Sequence, residues 1–303
     1  MRILLLGSAG QVGWELGRTL APLGDVLRVD RRQADLTDKD AVRRVVRETE
    51  PALIVNAAAY TAVDRAESDQ KVAHAVNGEA PGILADEARR LGAALVHFST
   101  DYVFDGKKTA PYTEDDPASP VSVYGASKLE GERAIQAVGG AYVILRTSWV
   151  YGMRGRNFLL TIRRLASEQP ALRIVDDQTG APTWSRMIAE ATALIVARAA
   201  RSGAPFGDTS GVYHLTAGGA TTWFGFAREI LRHHAALGIA SAPTLDPIPT
   251  AEYPTPARRP ANSLLDNDKL RRAFGLALPA WDESLRMCVE DGARSHRSPT
   301  EDA

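Results

Sequence analysis

Apolar residues along the first half of the chain follow two rhythms. Compact apolar-rich runs, bounded by turn residues, occupy positions 2–6 (RILLL), 25–29 (DVLRV), 52–56 (ALIVN), 94–98 (ALVHF) and 142–146 (YVILR). Runs of this kind suit strands covered on both faces, whereas half-exposed strands alternate. Between them lie stretches with helical periodicity at 38–49 and 69–91, the second rich in Ala and Leu and ending at Gly92 as a helix C-terminus does. Regular alternation of strand and helix predicts βαβ units, right-handed crossovers and a doubly wound parallel α/β sheet.

Beyond about residue 150 the rhythm breaks, strand-like runs become scarce, and Gly, Pro and aromatic residues cluster irregularly. The stretch SAPTLDPIPTAEYPTPARRPANS (241–263) holds six prolines, which excludes a core helix or central strand. It reads as an extended loop, anchored at intervals, that closes over a ligand. WSRMIAEATALIVARAA (184–200) is a long amphipathic pattern. The organisation expected is a first domain over 1–150 and a second over 151–303. A helix near 183–200 folds back onto the first, and a polar tail from about 294 is disordered.

Composition narrows the classes. Thirty-six Lys and Arg against 37 Asp and Glu leave a net charge of −1, so neither a nucleic-acid nor a membrane-surface partner is expected. A single cysteine, Cys288, precludes an intrachain disulfide and fits a reducing compartment. The N-terminal apolar run stops at Gly7, and no stretch approaches the roughly 20 apolar residues of a membrane helix. A cytoplasmic location is the expectation.

LLLGSAGQVGWEL (4–16) sets glycines at 7, 10 and 13 between the first strand and a helix. Gly7 would permit a tight turn, Gly10 a close approach of backbone to a pyrophosphate, and Gly13 tight helix–sheet packing. The pyrophosphate would then lie at the positive end of the helix dipole. Asp30 ends the second strand, placed to hold the adenosine ribose hydroxyls. Arg31 and Arg32 follow at once, and a guanidinium there can grip a 2′-phosphate. Asp30 favours NADH and the arginines NADPH, so the cofactor reading leans to NADPH and leaves NADH open.

In VYGASK (123–128), Tyr124 and Lys128 stand four residues apart and would share one helix face. An ammonium beside a phenol favours the phenolate, so Tyr124 can give a proton to a carbonyl oxygen as hydride reaches its carbon. Lys128 can also hold the nicotinamide ribose. The run ALVHFST delivers Ser99, Thr100 and Asp101 at a strand's C-terminal end, the edge at which open α/β sheets bind ligands. A Thr100 hydroxyl there can hydrogen-bond the same carbonyl.

Eight segments in order, GSAGQVGWEL, VNAAAYTAVDRAE, STDYVFDG, VYGASKLEGE, RTSWVYG, DDQTGAPT, YHLTAGGATTW and YPTPARRPANSLLD, resemble the extended short-chain dehydrogenase/reductase family over nearly the whole chain. The resemblance implies a Rossmann-type sheet with a smaller C-terminal substrate-binding domain. The activity it implies is NAD(P)H-dependent reduction of the 4-keto group of dTDP-4-dehydro-L-rhamnose, a nucleotide-sugar substrate. It assigns catalysis to Tyr124, Lys128 and Thr100. Cofactor contacts fall on Gly10, Gln11, Val12, Asp30, Asp35, Leu36, Ala59, Tyr60, Thr61 and the strand end near Phe98. Position 60 is a tyrosine where a histidine is expected, which changes little if the contact is through backbone.

Sugar contacts fall on Thr100, Asp101 and Trp149. Trp149 can equally be a core residue between domains, and Arg259 either a pyrophosphate ligand or a salt bridge holding its loop. Asn77 matches the family's relay-supporting asparagine or is a plain helix residue. The resemblance also leaves room for a homodimer and for Mg²⁺ on Glu15, Asp176 and Asp177 at a subunit contact. No catalytic metal is expected.

Rival members of the same scaffold read less well. A 4,6-dehydratase would place Asp-Glu after the threonine, where this chain has Asp101 and Tyr102. An epimerase shares Tyr and Lys but matches STDYVF and the C-terminal segments less closely. Another nucleotide-sugar 4-keto reductase stays open. So does a binding role like that of the regulatory subunit of methionine adenosyltransferase, against which the intact Thr100–Tyr124–Lys128 set weighs.

Overall fold

The computed structural model of the protein describes residues 1–201 and 206–296. Six strands form one parallel sheet: β1 (Arg2–Leu6), β2 (Asp25–Val29), β3 (Leu53–Asn56), β4 (Ala94–Thr100), β5 (Tyr142–Thr147) and β6 (Gly211–His214). Their order is β6-β5-β4-β3-β1-β2. The chain therefore reverses direction across the sheet between β1 and β3, the switch point at which doubly wound sheets open a crevice.

Both faces are covered, which is why the strands read as unbroken apolar runs. On one side Ile3, Leu5, Val55, Val96 and Val143 pack with α1 (Gln11–Thr19) and a late helix that contributes Ile188 and Ile195. On the other, Leu4, Leu6, Ile54, Leu95 and Ile144 meet α2 (Lys39–Thr49), α3 (Ala80–Leu91) and α4 (Val123–Val138). The late helix is α5 (Ser185–Arg201), and its Ala189 carbonyl accepts from Thr19 of α1. β6 escapes sequence reading because GVYH is only four residues long and begins with glycine; long-range pairing with β5 makes it a strand.

The helical stretch at 69–91 is not continuous α-helix. Residues Ala75–Glu79 form a π-turn between Gln70–His74 and α3. Pro81 has no N–H to give the carbonyl four residues back, which is that of Asn77. That carbonyl lies against Gly131 of α4, where an added Cβ would come within 2.1 Å of it. Freed backbone and a glycine contact let the turn widen, and π-turns frequently mark functional positions.

After β5 the chain builds a second core from Tyr151, Leu159, Ile162, Trp184, Phe226, Ile230, Leu285 and Cys288. The proline-rich stretch begins as an edge strand, Thr244–Ile248, paired in parallel with Ala171–Val175. Pro247 is tolerated there because an edge leaves one side of the strand unpaired. The rest is loop, tied down by Ala257 N–H on Asp64, Asn262 N–H on the Gly106 carbonyl and Ser263 N–H on the Thr179 carbonyl. The last helix runs Trp281–His296, into the stretch expected as a tail from 294; residues 297–303 lie outside the described residues.

Backbone approaches closely at Gly13, where a Cβ would stand 2.1 Å from the Gly7 carbonyl oxygen. Gly13→Ala is expected to cost about 1–3 kcal/mol, the usual range for overpacking a rigid site. Urea unfolding of the two proteins measures it, and equal midpoints would contradict this packing role.

Candidate active site

The glycine loop crosses the C-terminal end of β1. Gly7 has φ +75°, and a Cβ on it would meet the Ala58 backbone nitrogen at 2.5 Å. Gly10 caps α1 without any side chain, and its own N–H turns back to the Gly7 carbonyl at 3.0 Å. First-turn N–H groups of α1 thus point out of the fold uncapped, the arrangement that receives an anion. They border a cavity of about 510 Å³ whose lining includes Gly7, Gly10, Gln11, Val12, Asp30, Arg31, Asp35, Leu36, Ala59, Tyr60, Thr61, Phe98, Tyr124 and Lys128. Every cofactor candidate except Gly13 lines it, and Gly13 lies behind the loop as packing.

Two features prepare the adenosine end. The Asp30 carboxylate accepts from the Arg32 backbone N–H at 2.8 Å, which turns its charge into its own loop. Arg31 pairs with Asp35 at 3.0 Å, with 76% of the Arg31 side chain exposed. An ion pair that wet holds by 1 kcal/mol or less, roughly, so Arg31 is free to swing to another anion. Further in, Asn77 clamps the Tyr60 backbone, accepting its N–H at 2.8 Å and donating to its carbonyl at 3.1 Å. The Tyr60 hydroxyl is turned to Asp69. Asn77 also reaches Ser127 Oγ at 3.1 Å, so the π-turn ties the cavity wall to the catalytic helix.

α4 carries that helix face. Ser122 caps it by accepting the Gly125 N–H at 3.2 Å. Gly125 is required, since a Cβ would stand 2.1 Å from the Tyr102 carbonyl. Tyr124 and Lys128 both border the first cavity, and Tyr124 also borders a second one of about 830 Å³. Seven residues line both: Gln11, Thr61, Ser99, Tyr124, Thr147, Val150 and Arg156. The Thr100 hydroxyl hydrogen-bonds the Tyr124 phenol and donates to Asp101 Oδ1 at 3.0 Å. Ser99 Oγ, Thr147 Oγ1 and Asp101 Oδ2 are buried with no hydrogen-bond partner. Buried polar atoms are rarely left so, and two of the three, on Ser99 and Thr147, belong to residues that line both cavities.

The electrostatics are those of a dry junction. Burial lifts the Tyr124 phenol above the ordinary tyrosine range; the Thr100 hydrogen bond pulls it back, while Asp101 and Tyr102 add to the rise. Lys128 donates to the Phe98 carbonyl at 2.6 Å, and burial brings its pKa down to about 8 against a smaller pull from Glu132. Lys128 is not among the groups that move the phenol, so the expected lysine-driven lowering is absent in the chain alone and burial sets the direction. Burial also raises Asp101 to about 6, the Ser263 and Thr100 hydroxyls opposing.

The larger cavity collects the sugar-contact candidates Thr100, Asp101 and Trp149 and the pyrophosphate candidate Arg259. Trp149 sits at φ +46°, a conformation that costs a bulky residue about 1–3 kcal/mol. Its indole stacks on Trp223 at 3.5 Å and 8°, so one ring face belongs to the core and only the remainder serves the cavity. Arg259 pairs with Asp64 at 2.8 Å and reaches the Tyr102 hydroxyl at 3.4 Å; it anchors its loop while facing the cavity. Glu15, Asp176 and Asp177 are not brought together. Glu15 lies among Arg18, Arg186, Asp291 and Glu190, Asp176 accepts from Thr222, and Asp177 holds Thr250. Among the described residues no group of three or more His, Cys, Asp or Glu stands ready for a metal ion, and no helix is long and apolar enough to cross a membrane.

Sequence reasoning missed the segment that roofs the junction. Asn157 donates to Gln11 Oε1 at 2.7 Å, Gln11 donates to the Arg156 carbonyl, and Arg154 lies over the Trp14 ring at 4.1 Å. MRGRN carries no motif that announces this; only the fold brings 153–157 to the glycine loop.

The sequence matches the family described as RmlD substrate binding domain over residues 1–294. A dTDP-4-dehydrorhamnose reductase of Burkholderia thailandensis is 51% identical, the match covering 96% of this chain and 99% of the relative. One from Escherichia coli K12 is 42% identical over 96% and 98%. Among solved structures, a dTDP-4-dehydrorhamnose reductase from Bacillus anthracis in complex with NADP superposes with a TM-score of 0.86 at 32% identity, covering 96% and 99%.

The Asp101 carboxyl makes stability depend on pH. Folded, with its pKa pushed up to about 6, it binds its proton more tightly than a free aspartate of pKa about 3.9, so unfolding releases a proton between about pH 4 and 6. Stability then falls as pH rises through that window, by on the order of 2–3 kcal/mol. Asp101→Asn should flatten this part of the profile in urea unfolding run from pH 4 to 7; an unchanged slope would refute the assignment.

Proposed function

The chain belongs to the RmlD family of dTDP-4-dehydrorhamnose reductases, and on that premise we propose that it reduces the 4-keto group of dTDP-4-dehydro-L-rhamnose with NADPH, giving dTDP-L-rhamnose. The observation that carries the reading is the junction itself. A cavity whose lining suits a dinucleotide and one large enough for a nucleotide sugar open onto the same phenol, Tyr124, which Thr100 meets from the side of the larger one.

The roles follow from position. The nicotinamide supplies the hydride when bound. Thr100 orients the substrate carbonyl, and Tyr124 gives its phenolic proton to the carbonyl oxygen as the carbon is reduced. Lys128, fixed by the Phe98 carbonyl, holds the nicotinamide ribose and supports the phenolate that results. Asp101 keeps Thr100 Oγ in place. Orphaned Ser99 and Thr147 hydroxyls fit a ligand with donors and acceptors at the junction. NADPH over NADH is favoured by the inward-turned Asp30 and the weakly held Arg31. Where a dehydratase would need a carboxylate after the aspartate, Tyr102 stands edge-on to Tyr124 at 5.4 Å and offers no base for elimination.

Oxidation of NADPH by the purified protein with dTDP-4-dehydro-L-rhamnose, matched by formation of dTDP-L-rhamnose, is the expected result. Tyr124→Phe should lower the rate about 10²–10⁴-fold and leave NADP⁺ affinity within a few-fold. Lys128→Met should weaken both. Cofactor binding without oxidation of NADPH by the wild type would move the reading to a different 4-keto sugar or to a binding role.

A further inference from the structure

Behind Lys128 lies a buried pair that none of the roles above uses. Asn56 ends β3 and His97 stands opposite it on β4, with 0% and 1% of their surfaces exposed. Asn56 Oδ1 accepts the Ala58 backbone N–H at 3.2 Å, which aims its Nδ2 at His97 Nδ1, 3.1 Å away. An amide nitrogen only donates, so Nδ1 is the acceptor and the single proton of a neutral ring sits on Nε2. The ring is neutral because burial and Lys128 hold it well below the usual histidine range. Nε2 is 3.3 Å from Lys128 Nζ, and an N–H facing an ammonium sets donor against donor.

We propose that His97 is a positioning residue for the reaction, one that presents Nε2–H to Lys128. It thereby denies the ammonium a second protein acceptor and turns its remaining protons toward the cavity shared with Tyr124. Lys128 is then a cation completed by what enters the cavity rather than by the protein. The other charged groups around it do not cancel this. Glu132, one turn along α4, favours the cation but is held by Arg146 of β5 at 2.9 and 2.6 Å. Asp101, beyond β4, acts on Tyr124. The helix packed on the far side brings Asn77 to Ser127 and His74 to Glu130. The proposal deepens the reductase reading and rests on it for its kinetic part alone.

The tautomer can be read without cofactor or turnover. In ¹⁵N-histidine-labelled protein, with His97→Gln removing and so assigning one of six histidines, His97 is expected as the Nε2–H form; the Nδ1–H form would overturn the proposal. Kinetics give the second test. His97→Gln can offer a carbonyl to the ammonium. Asn56→Asp can accept both the Ala58 N–H and a proton on Nδ1, leaving Nε2 a lone pair. Lys128, brought down to about 8, loses its proton before Tyr124 and sets the alkaline limb of kcat/KM. Either variant should move that limb upward by about one pH unit, whereas a merely structural role would lower rates with the limb in place. A limb unmoved in both variants overturns the proposal. Failure of the wild type to reduce the keto sugar counts against the reductase reading only, since the tautomer is still observed.

Discussion

A phenol and an ammonium held out of water at the join of two cavities set the terms for the rest of this molecule. Taking Tyr124 and Lys128 into the protein raises one pKa and lowers the other, so each resists the charge that reduction chemistry asks of it. Desolvation of this size is bearable only where the surroundings are rigid and complete the missing interactions. The parallel sheet provides that rigidity. Its C-terminal edge presents Thr100 and Phe98 to the two side chains at fixed positions, and the glycine loop and α1 complete the cofactor side.

The same constraint explains where the chain accepts unfavourable backbone. Trp149 is held at positive φ between the Trp223 ring and Gly180, whose absent Cβ would meet the indole at 2.5 Å. The Ala75–Glu79 π-turn gives up regular helix so that Asn77 can fasten both the Tyr60 backbone and Ser127. In each case local strain fixes a wall of a cavity to an element that carries a catalytic group, as strain at functional sites generally does.

What could be read from the sequence was what depends on neighbours in the chain. Apolar runs placed β1 to β5, and the glycine spacing placed the turn after β1 because Gly7 takes a positive φ there and Gly13 packs on Gly7 within the same unit. Tyr124 and Lys128 were legible as a helix-face pair for the same reason. Residues joined only by folding were not. Strand β6 pairs 60 residues and more from its sequence position, and the 153–157 segment reaches the glycine loop through Asn157 and Gln11, 146 residues apart. Asn56 and His97 looked like strand residues until the β3–β4 register set them face to face. Within the chain Glu15 stands apart from Asp176 and Asp177, each carboxylate engaged by its own neighbours.

The central claim is that burial keeps Tyr124 un-ionised in the free protein and that the positive ring of NADP⁺, left once hydride has gone, favours the phenolate that proton donation leaves behind. Ultraviolet difference titration of wild type against Tyr124→Phe, with and without NADP⁺, addresses it directly. The account predicts that the Tyr124 signal appears above the ordinary tyrosine range in the free protein and moves down by at least about one pH unit when NADP⁺ binds. A Tyr124 titration at the same pH in both states would contradict it.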